Sequence, residues 1–115
     1  MPNSLDNTGL SSKTIAKIHS VFSQYPNIEQ AILYGSRAKG TFRNGSDIDF
    51  TLRGDTLTHW ELSRIENELD DLLLPYKIDL SLFRQIDNPN LIGHIGRVGM
   101  TFYQRGMDGP FRPSV

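Results

Sequence analysis

The sequence predicts a small α/β (α+β) domain in two layers, a mixed β-sheet with helices packed on one face and a polar opposite face. Three observations predict it. Two segments repeat apolar residues at the three-and-four spacing of a helix, three carry the apolar run or alternation of a strand, and the two kinds interleave along the chain. A chain of 115 residues buries one modest core and no second one. Its 12 basic and 13 acidic side chains nearly cancel, and 37% hydrophobic with 22% charged residues is an ordinary globular composition. Disordered, collagen-like and coiled-coil classes are excluded. With no cysteine, so are disulfide scaffolds, thiol catalysis and thiolate-bound metals.

From the N-terminus, residues 1–10 are polar and are expected to be loose, as is the Gly/Pro-rich tail 106–115, leaving 11–105 as the domain. Ser11 or Ser12 caps a helix whose stripe is Ile15, Ile18, Phe22 and Tyr25, ended by Pro26. Ile28 to Tyr34 closes on the run Ala31-Ile32-Leu33-Tyr34, a buried strand, and Gly35-Ser36 turns the chain into a short helix. Asp47 to Leu52 alternates, with Ile48, Phe50 and Leu52 on one face and Asp47 and Asp49 on the other. Thr58 and Glu61 form a capping box ahead of the stripe Leu62, Ile65, Leu69 and Leu72, which Pro75 stops. Tyr76 to Leu82 alternates again and carries Asp79 on its polar face. A short helix around Leu91, Ile92 and Ile95 and a strand from Met100 to Tyr103 complete the domain.

Three acids on the polar faces of neighbouring strands repel one another unless a cation sits among them, and an all-oxygen set suits magnesium. Asp47, Asp49 and Asp79 have that placement. Upstream, Gly35-Ser36-Arg37-Ala38-Lys39-Gly40 offers backbone N–H groups and a hydroxyl to a phosphate. Alone, each signal has a plainer explanation. Asp-x-Asp on a strand is commonly a solvated face, Gly-Ser a turn, and Arg37, Lys39 and Arg43 a surface loop. His19, His59 and His94 have no common spacing that suggests a metal set, and Trp60 and Tyr76 read as core or interface aromatics.

Together the signals spell Gly35-Ser36, ten residues, Asp47-Ile48-Asp49, then Asp79 on a later strand. In this the sequence resembles the minimal nucleotidyltransferases of the DNA-polymerase-beta superfamily, the MNT proteins encoded beside a helical HEPN-domain partner. The resemblance is firm over Ile28 to Phe83. It implies the nucleotidyltransferase fold, with Asp47 and Asp49 binding two magnesium ions and Asp79 completing the first metal site and helping to deprotonate the attacking hydroxyl. It implies that Gly35 and Ser36 hold the triphosphate of ATP, and that Arg37, at a position often basic in the family, donates to phosphate in bidentate fashion. Lys39 and Arg43 are further phosphate candidates. Ser46 supports the turn or the metal shell, or is a simple turn residue.

The activity so implied is transfer of AMP from ATP to a tyrosine hydroxyl of a HEPN toxin, an antitoxin role in which the partner supplies the acceptor. Two alternatives stand beside it: a nucleotide-binding module that neutralises its partner by occupancy alone, and nucleotidyl transfer to a small molecule. A near-neutral charge disfavours nucleic acid as a partner. No apolar run approaches the roughly 20 residues of a membrane span and no secretion signal is legible, so a cytoplasmic protein is expected, alone or as a homo- or hetero-oligomer.

Overall fold

A computed structural model of the chain describes residues 4–106. Helices α1 (Ser12–Ser23), α2 (Ser36–Lys39), α3 (His59–Asp70) and α4 (Pro89–Val98) interleave with strands β1 (Gln30–Tyr34), β2 (Ile48–Arg53), β3 (Ile78–Leu82) and β4 (Met100–Gln104). The strands form one sheet in the order β3-β2-β1-β4, with β1 antiparallel to β2 and β4, and β2 parallel to β3. The sheet is therefore mixed, as the sequence predicts. The parallel pair follows from α3, which returns the chain to the end of the sheet where β2 began.

Local chemistry sets the helix starts. The Ser11 hydroxyl accepts from the Thr14 amide at 3.1 Å. Thr58 accepts from the Glu61 amide at 3.1 Å while Glu61 accepts from the Thr58 amide at 3.2 Å, completing the capping box. From these caps α1 buries Ile18, Val21 and Phe22, and α3 buries Ile65 and Leu69. Both sets join Ala31, Leu33, Ile48, Phe50 and Leu52 in one core on one face of the sheet. Phe22 meets Phe50 edge-on with ring centroids 5.3 Å apart, and Phe50 lies 4.7 Å from Phe102. A register shift opposite Ala31/Ile32 lets β4 bury both Phe102 and Tyr103, which strict alternation would send to opposite faces.

Three features depart from the sequence reading. Residues 5–10 are packed, not loose: Leu5 and Leu10 are buried, and the buried Thr8 hydroxyl donates to the Leu5 carbonyl at 2.7 Å. Their apolar side chains are too few to make a periodic pattern, so composition alone reads them as a tail. Trp60 is not a core aromatic, being 67% exposed with the Arg64 guanidinium over its ring, which leaves the interface half of its reading. The third departure is α4, which lies on the acid side of the sheet, where Gly99 closes against Ile32 of β1 and buried Ile95 lines the same cleft. Residues 1–3 and, apart from Gly106, the tail expected at 106–115 lie outside the described residues.

Candidate active site

The polar face of the sheet carries one row of functional groups set by register alone. Tyr34 on β1 stands opposite Asp49 on β2, and Asp49 stands opposite Asp79 on β3. Neighbouring strands lie about 4.8 Å apart, so three oxygen-bearing side chains project side by side. Asp47 precedes β2 by one residue and is exposed beside this row.

The electrostatics follow from that crowding. Partial burial, a hydrogen bond with Asp79 and the charges of Asp79 and Asp47 push the Asp49 carboxyl up to about 6. Burial, with the same two carboxylates Asp49 and Asp79 nearby, also raises the Tyr34 phenol above its usual range. The donor set is carboxylate oxygen throughout, which fits a hard cation such as magnesium. Among the described residues, no group of three acids or histidines is yet drawn close enough to hold an ion. Asp79 has its Oδ1 3.9 Å from Lys77 Nζ, in an exposed pair worth about 1 kcal/mol or less.

The Gly35-Ser36 turn abuts the row. Gly35 has φ 79° and ψ −157°, a region open to glycine and almost nothing else. A Cβ there would also collide with the Asp49 carboxylate. Both facts require glycine, and they place the turn against the acids. Among the described residues the Ser36 hydroxyl has no protein partner, while its carbonyl accepts from the Thr41 amide at 3.0 Å. The hydroxyl is free for a phosphate.

Arg37 behaves differently from the phosphate donor expected of it. It is 2% exposed, its Nε and Nη2 donate to the Ser46 carbonyl at 3.1 and 3.0 Å, and Nη1 donates to the Thr8 carbonyl at 2.8 Å. A side chain so enclosed, with its donors on backbone carbonyls, is a structural strut. Ser46 behaves as the turn residue of its plainer reading: its hydroxyl accepts from the Arg43 amide at 2.8 Å. Lys39 and Arg43 are exposed. The structure thus sets Asp49 against the Gly35 turn and in register with Asp79, with Asp47 just before the same strand, while Arg37 and Ser46 bond within the loop that leads to Asp47.

Two residues not singled out from the sequence join them. Tyr34 reads as the end of a buried strand until its register places it beside Asp49. His94 on α4 accepts from the Gly35 amide at 3.3 Å and presents its ring edge-on to Tyr34, with centroids 6.2 Å apart. Fifty-nine residues of sequence separate His94 from its partner, and no periodicity spans that gap.

Comparison with known proteins addresses the family and the fold. The family model described as Polymerase beta, Nucleotidyltransferase matches residues 16–108. No curated protein matches. Among solved structures, a chain of a toxin–antitoxin complex crystallised with AMP-PNP is 24% identical, with a TM-score of 0.63 over 86% of this chain and 77% of its own. A chain of the MntA-HepT toxin–antitoxin complex is 20% identical, with a TM-score of 0.61 over 87% and 78%. A third, from a complex of tri-AMPylated Shewanella oneidensis HEPN toxin with MNT antitoxin, is 19% identical, with a TM-score of 0.61 over 88% and 78%. At these identities the likeness is one of fold.

Proposed function

Because the chain belongs to the polymerase beta nucleotidyltransferase family, we propose that it transfers AMP from ATP, with magnesium, to a tyrosine hydroxyl of a HEPN toxin, and so acts as an antitoxin. The observation that carries the reading is the placement of Asp49, in register with Asp79 and two residues after Asp47, against the Gly35 turn. A candidate phosphate turn therefore lies directly against a candidate cation ligand, Asp49. The AMPylated toxin and the AMP-PNP complex named above belong to proteins of the same fold, and they support AMP as the group and a HEPN protein as the acceptor.

In this reaction the acceptor oxygen bonds to the α-phosphorus, the bond to the bridging oxygen breaks, and pyrophosphate leaves. The free Ser36 hydroxyl and the turn hold the triphosphate. Asp47, Asp49 and Asp79 are the residues that would hold magnesium, which supplies charge neutralisation at the phosphate oxygens and acidifies the incoming hydroxyl. Asp79, the most outward member of the register row, takes up the proton of that hydroxyl. Half-buried Tyr34 shields the inner side of Asp49 from water.

The test uses the purified chain, magnesium and ATP labelled on the α-phosphate, added to lysate of the source cell. Label on one protein band, lost in the Asp47→Ala/Asp49→Ala variant while ATP still binds, is the expected result. Label in the small-molecule fraction would move the acceptor there. Absence of label everywhere, with partner neutralisation intact in the double variant, would establish the alternative of a nucleotide-binding module.

A further inference from the structure

We propose that Arg37 is a positioning residue for Asp47: it fixes the peptide unit that leads into this acid and ties residues 5–10 into the same site. The inference rests on the nucleotidyltransferase reading above and adds to it a part that the family match does not assign.

Between Lys39 and Ile48 the chain has neither helix nor strand, so the position of Asp47 depends on what holds the loop. One turn does so locally, with the Ser46 amide on the Arg43 carbonyl at 3.0 Å and the Arg43 amide on the Ser46 hydroxyl at 2.8 Å. Arg37 holds it from outside. Its Nε and Nη2 close as a fork on the Ser46 carbonyl, the oxygen of the peptide unit that ends at the Asp47 nitrogen. Two donors on one oxygen fix the plane of that peptide, and the plane sets where the Asp47 Cα begins.

The guanidinium also meets two aromatic rings, 5.1 Å from the Phe42 ring centroid and 4.6 Å from that of Tyr76. Among the described residues no carboxylate lies within ion-pair distance of it. A buried, uncompensated guanidinium is costly unless its donors are satisfied, and carbonyl oxygens satisfy them here. The same side chain therefore joins the two ends of the sequence motif. It follows Ser36 of the phosphate turn directly, and it grips the residue before the first acid. The ten-residue spacing is the length of loop that this clamp closes.

The experiment measures ATP binding to the full chain in EDTA and again across a magnesium titration, together with the melting temperature. Arg37→Lys keeps the charge but not the fork. It should leave ATP affinity in EDTA within about twofold of wild type and raise the magnesium concentration for half-maximal tightening about tenfold, the scale of losing a group that supports a metal ligand. Phe42→Leu, which removes one of the two ring contacts, should move the same midpoint about two- to threefold, and it decides the question should Arg37→Lys fail to fold. Weaker binding in EDTA with an unchanged magnesium midpoint would place Arg37 on phosphate and overturn the proposal. A lowered melting temperature with both binding quantities unchanged would overturn it as well, since support of the fold alone predicts that pattern. A wild-type chain that binds ATP without any response to magnesium would overturn the nucleotidyltransferase reading itself, and this proposal with it.

Discussion

Replacing Gly35 by alanine separates backbone strain from displacement of an acid, because Gly40 provides the matched control. Both glycines have positive φ, 79° and 83°. An alanine at Gly40 meets nothing within 4 Å, so Gly40→Ala costs only the left-handed backbone term, about 1–2 kcal/mol. At roughly 5 °C of melting temperature per kcal/mol for a domain of this size, that is a shift of about 5–10 °C. Gly35→Ala carries a backbone term of about 1–3 kcal/mol, and its methyl must also drive the Asp49 carboxylate away from the turn. Displacement of a reacting group by about 1 Å lowers turnover on the order of a hundredfold. The expected result is that both variants melt lower, Gly40→Ala keeps label transfer within about threefold, and Gly35→Ala loses about a hundredfold. Equal activities for the two variants would refute the claim that the glycine exists to let Asp49 lie against the turn.

The Asp49 carboxyl, raised to about 6, gives a pH dependence of fixed sign. A group whose folded pKa exceeds its unfolded value adds stability below the unfolded value and loses it as pH rises through the folded one. Metal-free protein should therefore lose stability between about pH 4 and pH 6, by direct melting in a pH series, and Asp49→Asn should remove that part of the loss. Thr58→Ala breaks the capping box and should cost about 1 kcal/mol of stability with label transfer unchanged, since α3 packs on the face opposite the acids. Phe50→Ala, at the centre of the aromatic cluster, should cost about 3–5 kcal/mol, seen as a lowered urea midpoint.

How far the sequence reveals this molecule depends on the range of the interaction involved. Periodicity and caps are local, and they identify α1, α3, β2 and β3 with their faces: the alternation Ile48, Phe50, Leu52 leaves Asp49 on the polar side whatever the strand pairs with. Pairing order is not local, so the parallel β2–β3 register that sets Asp79 beside Asp49 is invisible to spacing. The same holds for the His94 contact with Gly35 across the domain. Arg37 illustrates a different limit. A basic side chain after a phosphate turn satisfies the sequence argument for a phosphate donor, yet its donors have equally good acceptors in the carbonyls of Ser46 and Thr8, and burial between Phe42 and Tyr76 selects those. Residues 5–10 were unreadable for the related reason that Leu5 and Leu10 are anchored by a core built from the rest of the chain.

Whether the row of acids is a cation site or a plain docking surface turns on Asp49. A docking surface gains nothing from a carboxyl held among two other acids and pushed up to about 6, because the crowding opposes folding at neutral pH and adds no contact. A cation among the acids reverses that sign: the mutual repulsion that destabilises the free protein becomes affinity for the ion, and the stability lost between about pH 4 and pH 6 returns when magnesium is added. Magnesium should therefore raise the melting temperature of the wild-type chain more at pH 8 than at pH 5, where Asp49 is protonated. The gain should vanish in Asp49→Asn. An equal gain at both pH values would mean that the ion binds elsewhere, and the row of acids would then have no physical reason to be kept.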